Sequence, residues 1–493
     1  MLKPFGQYAH SISELVNTGS VKAEDVLSFY LDRLTKLAPK LNSHIFYDAK
    51  KVAAAAEKQI DYVNDSRKRG KRLKLAGVPI AVKDNILTVD FPTTAASRIL
   101  ANFTSIYDAT VVRRLKEEGA FVLGKTNLDE FAMGSSNENS AFGGCKNPWD
   151  LNRVPGGSSG GSVAAVAADI SPVSLGSDTG GSIRQPASFC GTVGLKPTYG
   201  RISRYGLIAF GSSLDQIGPF SRTVKDSALL FDVMSGYDKL DSTSVNRPQE
   251  NVSDALAKAP KNLAGMKIGV IKEFDQDGIE PDVKKAFAAA VNQLESLGAK
   301  IVEVSIPNIG YSIATYYILA TAEASSNLAR FDGVRYGLRV SDKDTRLEDL
   351  YLQTRSQGFG REVKQRIMLG TFVLSSGYYD AYYSKANAIR DLLTSDFAKA
   401  FSQVDLIVSP TSPTTAFAFN AKQDSLSMYL CDVFTIAANL TGVPAMSIPC
   451  GYDQKGLPVG MQIIAPHFKE DQLFKAAHIY EESTKWHHEH PKL

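Results

Sequence analysis

PGGSSGGSVAAVAADISPVSLGSDTGGS, residues 155–182, sets two Gly/Ser loops (155–162 and 177–182) on either side of a run of small apolar residues. The run from Val163 reads as an Ala-rich helix, and Pro172 to Leu175 as a short strand feeding the second loop. Glycine lets the main chain adopt turns closed to other residues and approach a ligand closely. Serine offers a potential nucleophile or proton carrier. A stretch this poor in bulk, bracketed by amides and hydroxyls, points to chemistry rather than to packing.

Working outward, the flanking chain alternates helix and strand, as in an α/β fold. Leu75 to Val82 reads as a buried strand that runs directly into Lys83-Asp84-Asn85. Ala109 to Glu118 reads as an amphipathic helix and Ala120 to Leu123 as a strand. Gly119 to Thr126 matches G-x-x-x-x-G-K-[ST], but its middle is an apolar strand where a phosphate-binding loop needs glycine-rich backbone, so the match is accidental. Further strands are expected at Met266–Val270, Lys300–Val304, Leu406–Val408, Ala445–Ile448 and Met461–Ile464, with a helix at Asp282–Leu297. Residues 5–63 and 311–402 read as mostly helical, the latter crowded with Tyr and Arg. Leu128 to Asn147 and Tyr199 to Pro219 read as Gly-rich loops.

Bulk properties exclude several function classes. A net charge of +3 over 493 residues gives no footing for nucleic acid or anionic membrane. The cluster of basic residues from Arg67 to Lys74 has no interleaved aromatics and reads as a solvated loop. Four scattered cysteines without a C-x-x-C pair fit a reducing compartment, and no signal-like start is seen, so a cytoplasmic location is expected. No apolar run approaches the ~20 residues needed to span a bilayer. The His-His-Glu-His cluster after Trp486 could bind a metal, but reads as a frayed end, residues 486–493.

Histidine is the most informative residue. All seven lie at 10, 44, 467, 478, 487, 488 and 490, so none falls between 45 and 466. A Ser-His-Asp triad would have to recruit one from near an end of the chain. With Ser182 as nucleophile, the amides of Thr179, Gly180, Gly181 and Ser182 could hold an oxyanion. The base would then be Lys83 or a carboxylate, and a lysine needs burial to become neutral near pH 7. Sequence spacing alone does not pair Lys83 with Ser182.

GVPIAVKDN at 77–85, PGGSSGGS at 155–162 and DTGGSIRQP at 178–186 together resemble the amidase signature family, three separated motifs in the family's order. The resemblance implies an α/β/α sandwich around a mixed, largely parallel sheet. It implies one domain over 1–485, with 311–402 lying over the active site. It also implies a Ser-cisSer-Lys set, in which Ser182 is the nucleophile, Ser158 bridges after a cis peptide at Gly157, and Lys83 is the ultimate base. Thr179, Gly180 and Gly181 become oxyanion donors.

Further stretches are similar to the glutamine-hydrolysing branch of that family that serves tRNA amidation. They are DEFAMGSS at 129–136, GLKPTYG at 194–200, SSLDQIGP at 212–219, EASSNLARFDG at 323–333, RIMLGT at 366–371 and SSGYYDAYY at 375–383. Asn137 departs from the Thr or Ser expected after Gly-Ser-Ser. This branch implies that Arg366 holds the glutamine α-carboxylate, that Asp432 faces its ammonium, and that Tyr317, or else Tyr316, lines the substrate. It implies two partners, the B and C subunits of a heterotrimer, with tRNA held mainly by the B partner. ATP and Mg are expected on that same partner, and no cofactor or metal in this chain. The product would be Gln-tRNA(Gln) from Glu-tRNA(Gln), with Asn-tRNA(Asn) from Asp-tRNA(Asn) as an extension. A free-standing amidase and a non-catalytic scaffold are the alternatives. Arg366 and Asp432 speak against the first, and intact Lys83, Ser158 and Ser182 against the second.

Overall fold

The computed structural model describes residues 8–248, 251–274, 278–341, 345–422 and 425–493. Eleven strands form one sheet: β1 His44–Phe46, β2 Pro79–Lys83, β3 Phe121–Thr126, β4 Val173–Asp178, β5 Val193–Lys196, β6 Gln216–Ser221, β7 Lys267–Ile271, β8 Lys300–Val304, β9 Leu406–Pro410, β10 Ala445–Tyr452 and β11 Pro458–Ile464. Their order is β1-β3-β2-β4-β6-β5-β10-β11-β9-β7-β8. The mixed sheet is as the resemblance implied, and its parallel share is smaller than expected. Parallel pairing is confined to the β3-β2-β4 and β9-β7-β8 blocks. The remaining neighbours, from β4 through β9 and at β1, run antiparallel, because β10 folds straight back into β11 and β6 and β5 enter between the blocks.

Alternation along the strands divides the interior in two, since successive side chains point to opposite faces. Val408, Met446, Ile448, Met461 and Ile463 join a core with the helices Ala23–Leu41, Ala49–Lys68 and Glu470–Glu482. Ile407, Ala445 and Ile464 join a second core with Phe131, Tyr316, Tyr317 and the helices Ser312–Asn327, Arg361–Val373 and Lys385–Phe401. The Ala49–Lys68 helix shows why local sequence suffices there. Asp48 caps it by accepting from the Lys51 N–H, and Val52, Ala56, Ile60 and Val63 form one buried stripe. Among the described residues, 311–402 is mostly helical, in Ser312–Asn327, Leu347–Gly358, Arg361–Val373 and Lys385–Phe401, with an irregular stretch at 331–341.

Two details correct the sequence reading, and one, at Lys125, agrees with it. The end of the Gly-rich loop Tyr199–Pro219 is strand β6, and the unassigned stretch at 193–196 is β5; Gly194 and Gly218 leave no room for a Cβ between tightly layered elements. The Lys125 of the accidental phosphate-loop match ends up in a strand, paired with Asp84 at 3.1 Å and bonded to Thr93 at 2.6 Å. The C-terminal segment is docked rather than frayed. His490 lies 3.2 Å from Asp169, the Glu489 carbonyl accepts from Arg222 at 3.1 Å, and His487 is buried.

Candidate active site

Strand β2 delivers Lys83 to the floor of the site at its last residue. The lysine is fully buried, and Nζ lies 2.8 Å from Ser158 Oγ, 2.8 Å from Ser159 Oγ and 2.9 Å from Ser177 Oγ. Burial outweighs the opposing pull of Asp129, Asp178 and Asp215 and lowers the lysine to about 7. The Ser177 hydroxyl also accepts from Asn85 Nδ2 at 2.9 Å. The Gly157–Ser158 peptide is cis. The imidazoles are occupied elsewhere: His44 is bonded to Ser43, and His467 to the Thr441 carbonyl.

The loop bearing Ser182 is folded around one carboxylate. Asp178 accepts from the N–H groups of Gly181 (2.9 Å) and Ile183 (3.1 Å) and from Arg184 on both oxygens. The Arg184 guanidinium and these bonds overcome desolvation and hold Asp178 down at about 2. Gly181 needs to be glycine: its φ is 140°, and a Cβ would strike Thr435. Because its N–H is taken by Asp178, Gly181 shapes the expected anion-binding loop and is not a free donor in it. Thr179 is fixed by its hydroxyl, which donates to Asp215 at 2.6 Å.

The two serine loops are tied by Gln185. Its N–H donates to the Gly181 carbonyl at 2.8 Å, and its Oε1 accepts from the Gly157 N–H at 3.1 Å. Asp129 braces the other side. It accepts from Asn137 and Asn139 amides, and its own N–H donates to the Ser158 carbonyl at 3.2 Å. Asn137 adopts a φ of 65°, a left-handed conformation that Asn tolerates better than Thr, and its Oδ1 accepts from Gly161 N–H at 3.0 Å. That gives the departure from the family pattern a structural reason. Ser182 is 7% exposed, whereas Ser158 and Lys83 are sealed, so only the former is reachable from solvent.

The opposite wall is aromatic and charged. Tyr316 lies against Gly180, where a Cβ would come within 2.7 Å of its ring. Tyr317 stacks on Tyr429 with centroids 3.6 Å apart, and the Arg366 guanidinium sits 5.4 Å from the Tyr317 ring. Arg366 Nε donates to Glu362 at 2.8 Å. Asp432 accepts from Ser135 through Oδ2, while its buried Oδ1 has no partner among the described residues. That free oxygen lies 3.3 Å from the Cβ position of Gly181, beside Ser182. Desolvation, reinforced by Asp178, raises Asp432 to about 7. A cavity of about 580 Å³, lined by Gly134, Ser136, Arg361, Arg366 and Tyr429 among others, opens over this wall. Neither Ser182 nor Lys83 lines it.

The sequence reading missed Ser159, Ser177, Asp129, Asp178, Arg184, Gln185 and Tyr429. Most of them sit inside or beside the quoted motifs, and an acidic residue two to three positions before a Gly-Gly turn was a usable signal for Asp178.

The amidase family model matches residues 25–474, and the chain belongs to that family. It is 56% identical over 473 residues to the A subunit of a glutamyl-tRNA(Gln) amidotransferase of Gloeobacter violaceus, covering 96% of this chain and 95% of the relative. A crystal structure of the A subunit of glutamyl-tRNA(Gln) amidotransferase from Thermotoga maritima superposes with a TM-score of 0.76 at 44% identity, covering 94% of this chain and 95% of that one. The native peptide amidase of Stenotrophomonas maltophilia superposes with a TM-score of 0.81 at 30% identity, with 98% of each chain covered. No helix among the described residues is long and apolar enough to cross a membrane.

Proposed function

We propose that this chain is the glutamine-hydrolysing A subunit of a glutamyl-tRNA(Gln) amidotransferase, working as one domain with B and C partners. The observation that carries the substrate assignment is the unpaired, buried Oδ1 of Asp432 beside the Ser182 loop, with Arg366 near it. A buried carboxylate oxygen without a donor calls for a cation, and a guanidinium across the site calls for an anion. The zwitterionic end of an α-amino acid supplies both. Tyr317 walls the carboxylate side beneath Arg366, and Tyr316 walls the Ser182 side against Gly180.

Ser182 Oγ attacks the side-chain carboxamide carbon. Its proton passes to Ser158 Oγ, whose own proton passes to neutral Lys83 Nζ. The amides of Thr179, Gly180 and Ser182 receive the developing oxyanion. Collapse expels the nitrogen, protonated back along the relay, and leaves a γ-glutamyl ester on Ser182. Water, activated by the same relay, cleaves the ester and releases glutamate. Ammonia passes to the B partner, which holds ATP, magnesium and the tRNA and converts Glu-tRNA(Gln) to Gln-tRNA(Gln).

Lys83 at about 7 supports the relay, since a large fraction is then unprotonated near neutrality. The test is a glutaminase assay with and without the partner subunits. Turnover that needs Ser182 and Arg366 is expected. Full tRNA amidation by this chain alone, or glutamine turnover untouched by Arg366→Ala, would refute the division of roles.

A further inference from the structure

Asp129 and Glu130 are adjacent, yet their carboxylates serve opposite walls of the site. Asp129 braces the Ser158 loop through Asn137 and Asn139. Glu130 turns the other way. Its Oε1 accepts from Ser97 Oγ at 2.5 Å, and its Oε2 accepts from the Gly360 N–H at 2.8 Å. Gly360 is the N-cap of the Arg361–Val373 helix, which carries Arg366 one and a half turns further on. That helix has no side-chain cap of its own at Gly360, so Glu130 supplies the missing acceptor from a distant part of the chain. The Ser97 hydroxyl also reaches the Gly358 carbonyl, and Phe131 packs on Phe359, its ring 5.6 Å away. The chain turns directly after the pair, where Phe131 and Ala132 both have positive φ, at 50° and 62°.

We infer that Glu130 is a positioning residue that caps the Arg366 helix and couples its placement to the loop of Ser158. It touches neither substrate nor the reacting atoms. Loss of the cap lets the first turn of the helix fray and displaces the Arg366 fork relative to Ser182. The proposal rests on the glutamine reading of Arg366 for its kinetic consequence, but not for its structural one.

The test uses the full-length chain assembled with its partner subunits. In hydrogen exchange, Glu130→Ala should speed exchange of the amides at 360–364 by roughly five- to tenfold, the size of a lost helix cap, and leave 184–190 unchanged. In steady-state kinetics it should raise the KM for glutamine about tenfold with kcat within about twofold, because a displaced binding group weakens ground and transition states alike. Turnover of butyramide, which lacks the α-carboxylate, should be unchanged. Glu130→Gln, which can still accept from Gly360, should return most of the KM. Unchanged exchange at 360–364, or equal losses on both amides, would overturn the inference. If wild-type protein fails to turn over glutamine at all, the glutamine reading falls, and the exchange experiment still decides the role of Glu130.

Discussion

The two walls of the site are made of opposite materials. The wall made by the loops 156–162 and 177–182 is mostly glycine and serine around a few fully buried charges, and its chemistry is set by backbone shape and by hydroxyls packed around Lys83. The wall from helices 312–327 and 361–373 is tyrosine and arginine, and its chemistry is set by where large side chains stack. The first wall allows little change in size at any position. The second can vary at its rings while keeping the charge. That difference teaches which wall carries the bond-breaking step and which carries the choice of substrate.

The largest expected effect comes from the small-residue wall. Ser182→Ala should cut glutaminase kcat by about 10⁴-fold or more, the scale for loss of a nucleophile, with thermal unfolding unchanged. A residual rate within about tenfold of wild type would move the nucleophile elsewhere. Lys83→Met should follow with a loss of about 10³-fold, within the range for a general base. In the wild type the base must be unprotonated. With Lys83 at about 7, kcat/KM should rise with pH through that value and fall below it, a limb absent from the Lys83→Met variant. An identical limb in the variant would assign the titration to another group, such as Asp432.

Gly180→Ala probes where the two walls touch. The new methyl meets the Tyr316 ring, and a loss of about 100-fold is expected if it displaces an oxyanion donor. Adding Tyr316→Ala should recover part of that loss. An additive double variant would show that the walls act independently. On the aromatic wall the effects are smaller and appear in KM. Arg366→Lys should raise the KM for glutamine by about 30-fold, since lysine keeps the charge but loses the planar fork that stacks on Tyr317. Tyr317→Phe, which preserves the stack, should change KM less than about threefold. A larger change would place its hydroxyl on the substrate.

The same contrast explains what was legible in the sequence. Absence of histidine between 45 and 466, with Lys83 ending an apolar strand, points away from an imidazole base on residue positions alone. Gly/Ser motifs announce themselves because few other residues fit their backbone. By residue pattern alone the aromatic wall gave only helices crowded with Tyr and Arg, and Arg366 and Tyr317 came from the resemblance. Whether Tyr316 or Tyr317 faces the reaction depends on about 100° of helix rotation, and a run of Tyr-Tyr does not specify it. Strands β5 and β6 were hidden because glycine and proline obscure the alternation that reveals a strand. The role of Gly181 was misread for a related reason. Its N–H turns to Asp178, a bond that follows from loop geometry and not from composition.

The central claim is that Ser182 forms a covalent glutamyl ester through a relay ending at Lys83. Rapid acid quench of the enzyme with glutamine, followed by peptide mass spectrometry, tests it most directly. The account predicts a glutamyl adduct on the peptide containing Ser182, accumulating faster than steady-state turnover and absent from Ser182→Ala. An adduct on any other residue, or glutamine turnover that persists in Ser182→Ala, would contradict it.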